Sequence, residues 1–124
     1  MKRISLLVVL SFLILGCSGP TDKMEVVDDE QPVLEFTDTD RKLIADYFIS
    51  DEEPKAIDAT WTNDKIFKIG VNDDGTSRDG LAEYACNIIN LDFNGEGQKI
   101  TVQIIDYPKL MSTKKWIELG EAQC

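Results

Sequence analysis

The sequence predicts an α+β domain: a small three-stranded sheet with two main helices packed on one face. Three observations predict it. Apolar residues recur at helical spacing over 43–48 and again over 81–88, they alternate with polar residues over 67–71 and 100–104, and a third apolar run lies at 116–119. Helices and strands interleaved in so short a chain are satisfied by one sheet with helices on one side.

The elements follow in order. Thr37 with Asp40 fits a capping box, and Leu43, Ile44, Tyr47 and Phe48 then share one helical face before Asp51-Glu52-Glu53-Pro54 stops the run. Residues 56–63 contain Trp61 and no clear period. Phe67, Ile69 and Val71 alternate with Lys68 and Gly70, which is a strand with one buried face. Asn72-Asp73-Asp74-Gly75 is turn chemistry. Thr76 with Asp79 forms a second capping box ahead of Leu81, Tyr84, Ala85 and Ile88, a helix expected to run to about Leu91. Asn94-Gly95-Glu96-Gly97 turns the chain into a second strand, in which Ile100, Val102 and Ile104 alternate with Thr101 and Gln103. Pro108 to Met111 fits one helical turn, and Trp116 to Leu119 a third strand or a short terminal helix. If the first two strands are neighbours, the helix between them is a crossover and they run parallel.

Composition narrows the chemistry. The 124 residues carry 23 Asp and Glu against 13 Lys and Arg, a net charge of −10, with no His and three Cys. Without His there is no Ser-His or Cys-His nucleophile and no imidazole metal site. A chain this acidic is repelled by a phosphate backbone, so no nucleic-acid partner is expected.

The beginning of the chain reads as an address. Lys2 and Arg3 precede an apolar run over 4–15 that is too short to span a bilayer, as in a secretory signal peptide. The run ends in Leu13-Ile14-Leu15-Gly16-Cys17, and this segment resembles the lipobox of bacterial lipoproteins, with Leu15 where Ala or Ser is usual. The resemblance covers the first eighteen residues only. It implies a signal peptide at 1–16, cleavage before Cys17, and acylation of Cys17, which anchors the protein in a membrane of the cell envelope. By resemblance to the sorting rule of Gram-negative lipoproteins, Ser18 favours the outer membrane, facing the periplasm or the outside. Several acyl chains hold far more firmly than one, each buried methylene adding about 0.8 kcal/mol.

Residues 17–36 follow as the lipidated Cys and an acidic tether, with six acids, two Pro and one base between 18 and 36. The apolar Val33-Leu34 and Phe36 leave a second reading open, in which the end of the tether docks on the domain as an edge strand. Residues 37–124 are enough for one core. Removing the six acids and three bases that precede residue 37 leaves 17 against 10, so the domain alone carries a net −7.

With Cys17 acylated, Cys86 and Cys124 are the remaining thiols, and an exported protein meets oxidising conditions, so they are expected to form a disulfide that pins the chain end. No metal or cofactor is expected. Asn72, Asp73, Asp74, Thr76 and Asp79 crowd one loop, but the spacing misses the EF-hand pattern and capping and turn roles account for them. Asp73, Asp74, Asp79 and Glu83 offer carboxylate pairs, yet a helix N-terminus lowers a carboxylate pKa, the wrong direction for a general acid. No enzyme activity is expected. The reading that follows is a non-catalytic, lipid-anchored acidic protein that binds a basic protein, either as part of an envelope assembly or as an immunity or inhibitor protein. Asp73, Asp74, Asp79, Trp61 and Trp116 are its candidate contact residues, although Trp in so small a domain also serves as core. The alternative is a small-ligand or cell-wall-binding module with a pocket between helices and sheet.

Overall fold

The computed structural model describes residues 32–51 and 55–124. The expected signal peptide, Cys17 and the expected tether through residue 31 lie outside the described residues, as does the Glu52-Glu53-Pro54 stop. The chain order is α1 (Asp38–Phe48), β1 (Asp58–Asn63), β2 (Ile66–Val71), α2 (Asp79–Asp92), β3 (Thr101–Asp106), α3 (Tyr107–Thr113) and β4 (Glu118–Gln123). The four strands form one sheet in the order β1-β2-β3-β4. β2 and β3 run parallel with Ile69 opposite Ile104, joined through α2, and both outer pairs are antiparallel. The fold is α+β with four strands and three helices: beyond the two main helices, the helical turn expected at Pro108 to Met111 is present as the longer α3, and one strand is additional.

The extra strand is β1. Only Ala59 and Trp61 turn inward from it, and Ala is too weakly apolar to register as an alternating pattern, so tertiary pairing with β2 makes the strand. The run at 116–119 is a strand rather than a helix, displaced toward the C-terminus to Glu118–Gln123.

The core lies on one face of the sheet. Phe67, Ile69 and Val71 from β2 and Val102 and Ile104 from β3 meet Ile44 and Phe48 of α1 and Ala82, Ala85, Cys86 and Ile89 of α2, all fully or nearly fully buried. In α1 the capping box forms as predicted, the Thr37 hydroxyl accepting from the Asp40 N–H while the Thr37 N–H donates to the Asp40 carboxylate. In α2 it does not. The helix starts at Asp79 behind Arg78, which gives no side-chain cap, and Thr76 instead donates to Asp74. Asp79 is drawn away from capping because its Oδ1 accepts the Glu121 N–H at 3.0 Å, stitching β4 to the helix start. The buried stripe of α2 is also one residue on from the predicted one: Ala82 and Ala85 are small enough to lie against the sheet, leaving Tyr84 exposed.

The compact unit spans Pro32–Cys124, so packing begins ahead of residue 37. Phe36 joins the core. The buried Gln98 side chain accepts from the Phe36 N–H at 3.2 Å and donates to the Leu34 carbonyl, acting as one rung of a strand without making one. Close to it, beyond the end of β4, a disulfide joins Cys86 in α2 to Cys124, Cα atoms 5.0 Å apart, with the Cys124 N–H donating to the Ile100 carbonyl.

The second face of the sheet carries α3. Gly70 alternates with Ile69 and Val71 and so points away from the core, and Tyr107 lies where its Cβ would be, the ring carbon Cδ2 2.8 Å from that position. Asp106 caps α3 by accepting from the Lys109 N–H, with Pro108 in the first turn.

Candidate functional site

Two surfaces of opposite charge flank the sheet. The first is acidic and grows out of the end of β2. Asp73 accepts from the Gly75 N–H at 2.8 Å, with Gly75 at φ +82°, a backbone that Gly adopts without strain. Asp74 accepts from the N–H and hydroxyl of Thr76 and pairs with Arg78 at 3.1 Å. The Thr76 hydroxyl and N–H, together with the Arg78 charge, hold the Asp74 carboxyl below the usual carboxylate range. Hydrogen bonds from Thr37 do the same for Asp40 in the first capping box. From Asp79 the charge continues along the outer side of α2 to Glu83, beside the exposed Tyr84. Residues 72–92 hold five acids and one base, and that base, Arg78, is already taken by Asp74 and by the Asn72 carbonyl.

The second surface lies on the opposite face, where the sheet contributes Asp58 and Glu121 as well as Lys68, and its basic part is the segment that follows β3. Residues 107–117 contain three Lys and no acid. Trp116, about half exposed, lies over the Lys68 ammonium, which sits 4.2 Å from the ring centre. Beside it Asp58, Lys68, Gly70, Tyr107, Leu110 and Trp116 line a shallow concavity of about 30 Å³. This is smaller than the enclosed pockets that bury a drug-sized ligand. It also lies away from α1 and α2, where core side chains fill the space against the sheet.

The predicted contact residues therefore fall in three places. Asp73, Asp74 and Asp79 share the acidic surface. Trp116 stands on the other face. Trp61 packs under α1, its Nε1 donating to the Arg41 carbonyl at 2.9 Å and its ring 4.8 Å from that of Phe67, so its work is in the core edge. Sequence reasoning singled out neither the acid-free lysines Lys109, Lys114 and Lys115 that precede Trp116 nor Glu83 and Tyr84 as part of the acidic contact surface. The acid-free run over 107–117 was the available signal for the first of these. Among the described residues no cluster of three His, Cys, Asp or Glu stands close enough to hold a metal ion. No protein-family model matches the sequence, and neither a curated protein nor a solved structure matches it.

Proposed function

We propose that the protein is a non-catalytic envelope lipoprotein, anchored through Cys17, that binds a basic protein on the acidic surface of the 73–79 loop and α2. The observation that supports this most is the separation of charge: five acids against one already paired base on 72–92, presented from rigid elements. Within this surface, hydrogen bonds from Thr76 and the Arg78 charge favour the charged form of Asp74. Such a field speeds encounter with a basic partner and orients it, while Tyr84 supplies an exposed aromatic contact of the kind that anchors interfaces. The partner is a basic component of an envelope assembly, or a basic toxin or hydrolase that this protein holds inactive.

One preparation tests both halves of the reading. The full chain, expressed in its host with labelled palmitate and extracted in detergent, is immobilised with its envelope partners and eluted in a salt gradient. Label on Cys17, lost in Cys17→Ser, together with a basic protein released by moderate salt, is the expected result. Absence of label contradicts the anchor. A companion protein that salt does not release, or none, contradicts the charge-steered partner.

A further inference from the structure

We propose that the basic surface formed by α3 and residues 114–117 rests on the anionic headgroups of the membrane that holds the anchor. The inference extends the lipoprotein reading and names a second contact of the same domain. Among the described residues Arg41, Lys42, Lys65 and Arg78 each pair with a carboxylate. Lys109, Lys114 and Lys115 do not, and the fourth base of this face, Lys68, sits beneath Trp116. Lys55 and Lys99 are also without an ion pair, but only the 107–117 segment gathers three such bases within eleven residues that contain no acid.

Their neighbours are apolar and exposed. Met111, Trp116 and Ile117 are 47%, 49% and 37% exposed, with Leu110 half-buried beside them. Lys beside Trp and aliphatic side chains is the composition that settles at a bilayer interface: the rings and alkyl groups enter the headgroup boundary and the ammonium groups meet the phosphates. The net −7 of the domain does not prevent this, because charges beyond a screening length of about 8 Å contribute little. Asp79 and Glu83 belong to α2, on the core side of the sheet, while the Asp73-Asp74 loop leaves β2 at the end where α3 leaves β3, and Asp58 and Glu121 share the face of Lys68.

The tether permits the arrangement. The chain enters the described domain beside Gly97 and Gln98, at the start of β3, whereas α3 follows the end of that strand. Six residues of strand measure about 20 Å. Residues 18–31 reach up to about 50 Å when extended, enough to run the length of the sheet and bring the α3 end to the bilayer. Acylation then needs only a weak surface, since the anchor keeps the domain within reach.

The test uses the unacylated chain 17–124 carrying Cys17→Ser, so that its outcome is independent of lipid on Cys17. Binding to phosphatidylcholine vesicles with and without phosphatidylglycerol is followed by sedimentation and Trp emission. The expected result is binding that requires phosphatidylglycerol and falls with salt, with a blue shift that Trp116→Phe removes. Lys109→Gln with Lys114→Asn and Lys115→Gln should weaken it about a hundredfold, at roughly fivefold per lysine. Asn is chosen at 114 because it tolerates the left-handed backbone there, φ 59°. Equal binding to both vesicles, no binding to either, or a triple variant that binds like the parent overturns the proposal. Loss of palmitate labelling would instead overturn the anchor and leave this result standing.

Discussion

Gly120→Ala is expected to cost about 3 kcal/mol or more, read from the urea midpoint of the oxidised domain. A Cβ on Gly120 would stand 2.2 Å from the Arg78 carbonyl carbon and 2.4 Å from the Asp79 N, and both are backbone atoms at the start of α2 that no rotamer change can move. Relief requires β4 to draw away from α2. That motion breaks the Arg78 N–H bond to the Leu119 carbonyl at 2.9 Å and the Glu121 N–H bond to Asp79 at 3.0 Å. The same substitution should therefore loosen the root of the acidic surface. A variant within about 0.5 kcal/mol of the parent would show that β4 is not held in this way.

Reducing the disulfide is expected to cost about 4 kcal/mol. The bond between Cys86 and Cys124 spans 38 residues, and on the chain-entropy account a loop of that length restricts the unfolded state by about that amount. Its second effect is local. Cys124 follows directly on β4, an edge strand, and its N–H donates to the Ile100 carbonyl at 2.7 Å, so without the bond β4 should loosen from that end first. Urea unfolding with and without reductant measures the first effect, and amide exchange over 118–124 the second. The two perturbations share β4, so Gly120→Ala in the reduced protein should cost less than their sum. Unchanged stability on reduction would contradict the account of how the C-terminal strand is kept.

The strength of local signals decided what could be read from the sequence. β2 and β3 were legible because each puts bulky β-branched or aromatic residues on one face, and their parallel pairing followed from the helix between them. The Cys86–Cys124 bond was legible by arithmetic, two thiols left over once Cys17 is expected to be acylated in an exported chain. β1 was not, since a strand whose inward residues are Ala59 and Trp61 has too little pattern to announce itself. The capping box at Thr76 failed for a long-range reason: Asp79 has a better partner in Glu121, 42 residues away, which local spacing does not contain. The candidate contact set was half legible. Three acids close together in sequence stay together on one loop, whereas Trp61 and Trp116 look alike in sequence and are separated only by which face of the sheet each one meets.

The central claim is that the acidic surface of the 73–79 loop and α2 holds the partner, and a photo-crosslinking residue in place of the exposed Tyr84 tests it most directly in living cells. Irradiation should yield one adduct with a basic envelope protein. The adduct should be lost when Asp73, Asp74 and Asp79 become Asn and Glu83 becomes Gln, changes that remove charge while each Asn keeps the Oδ1 acceptor that Gly75, Thr76 and Glu121 use. An adduct of undiminished yield in that variant, or none at Tyr84 while the same residue placed at Met111 captures a protein, would contradict it.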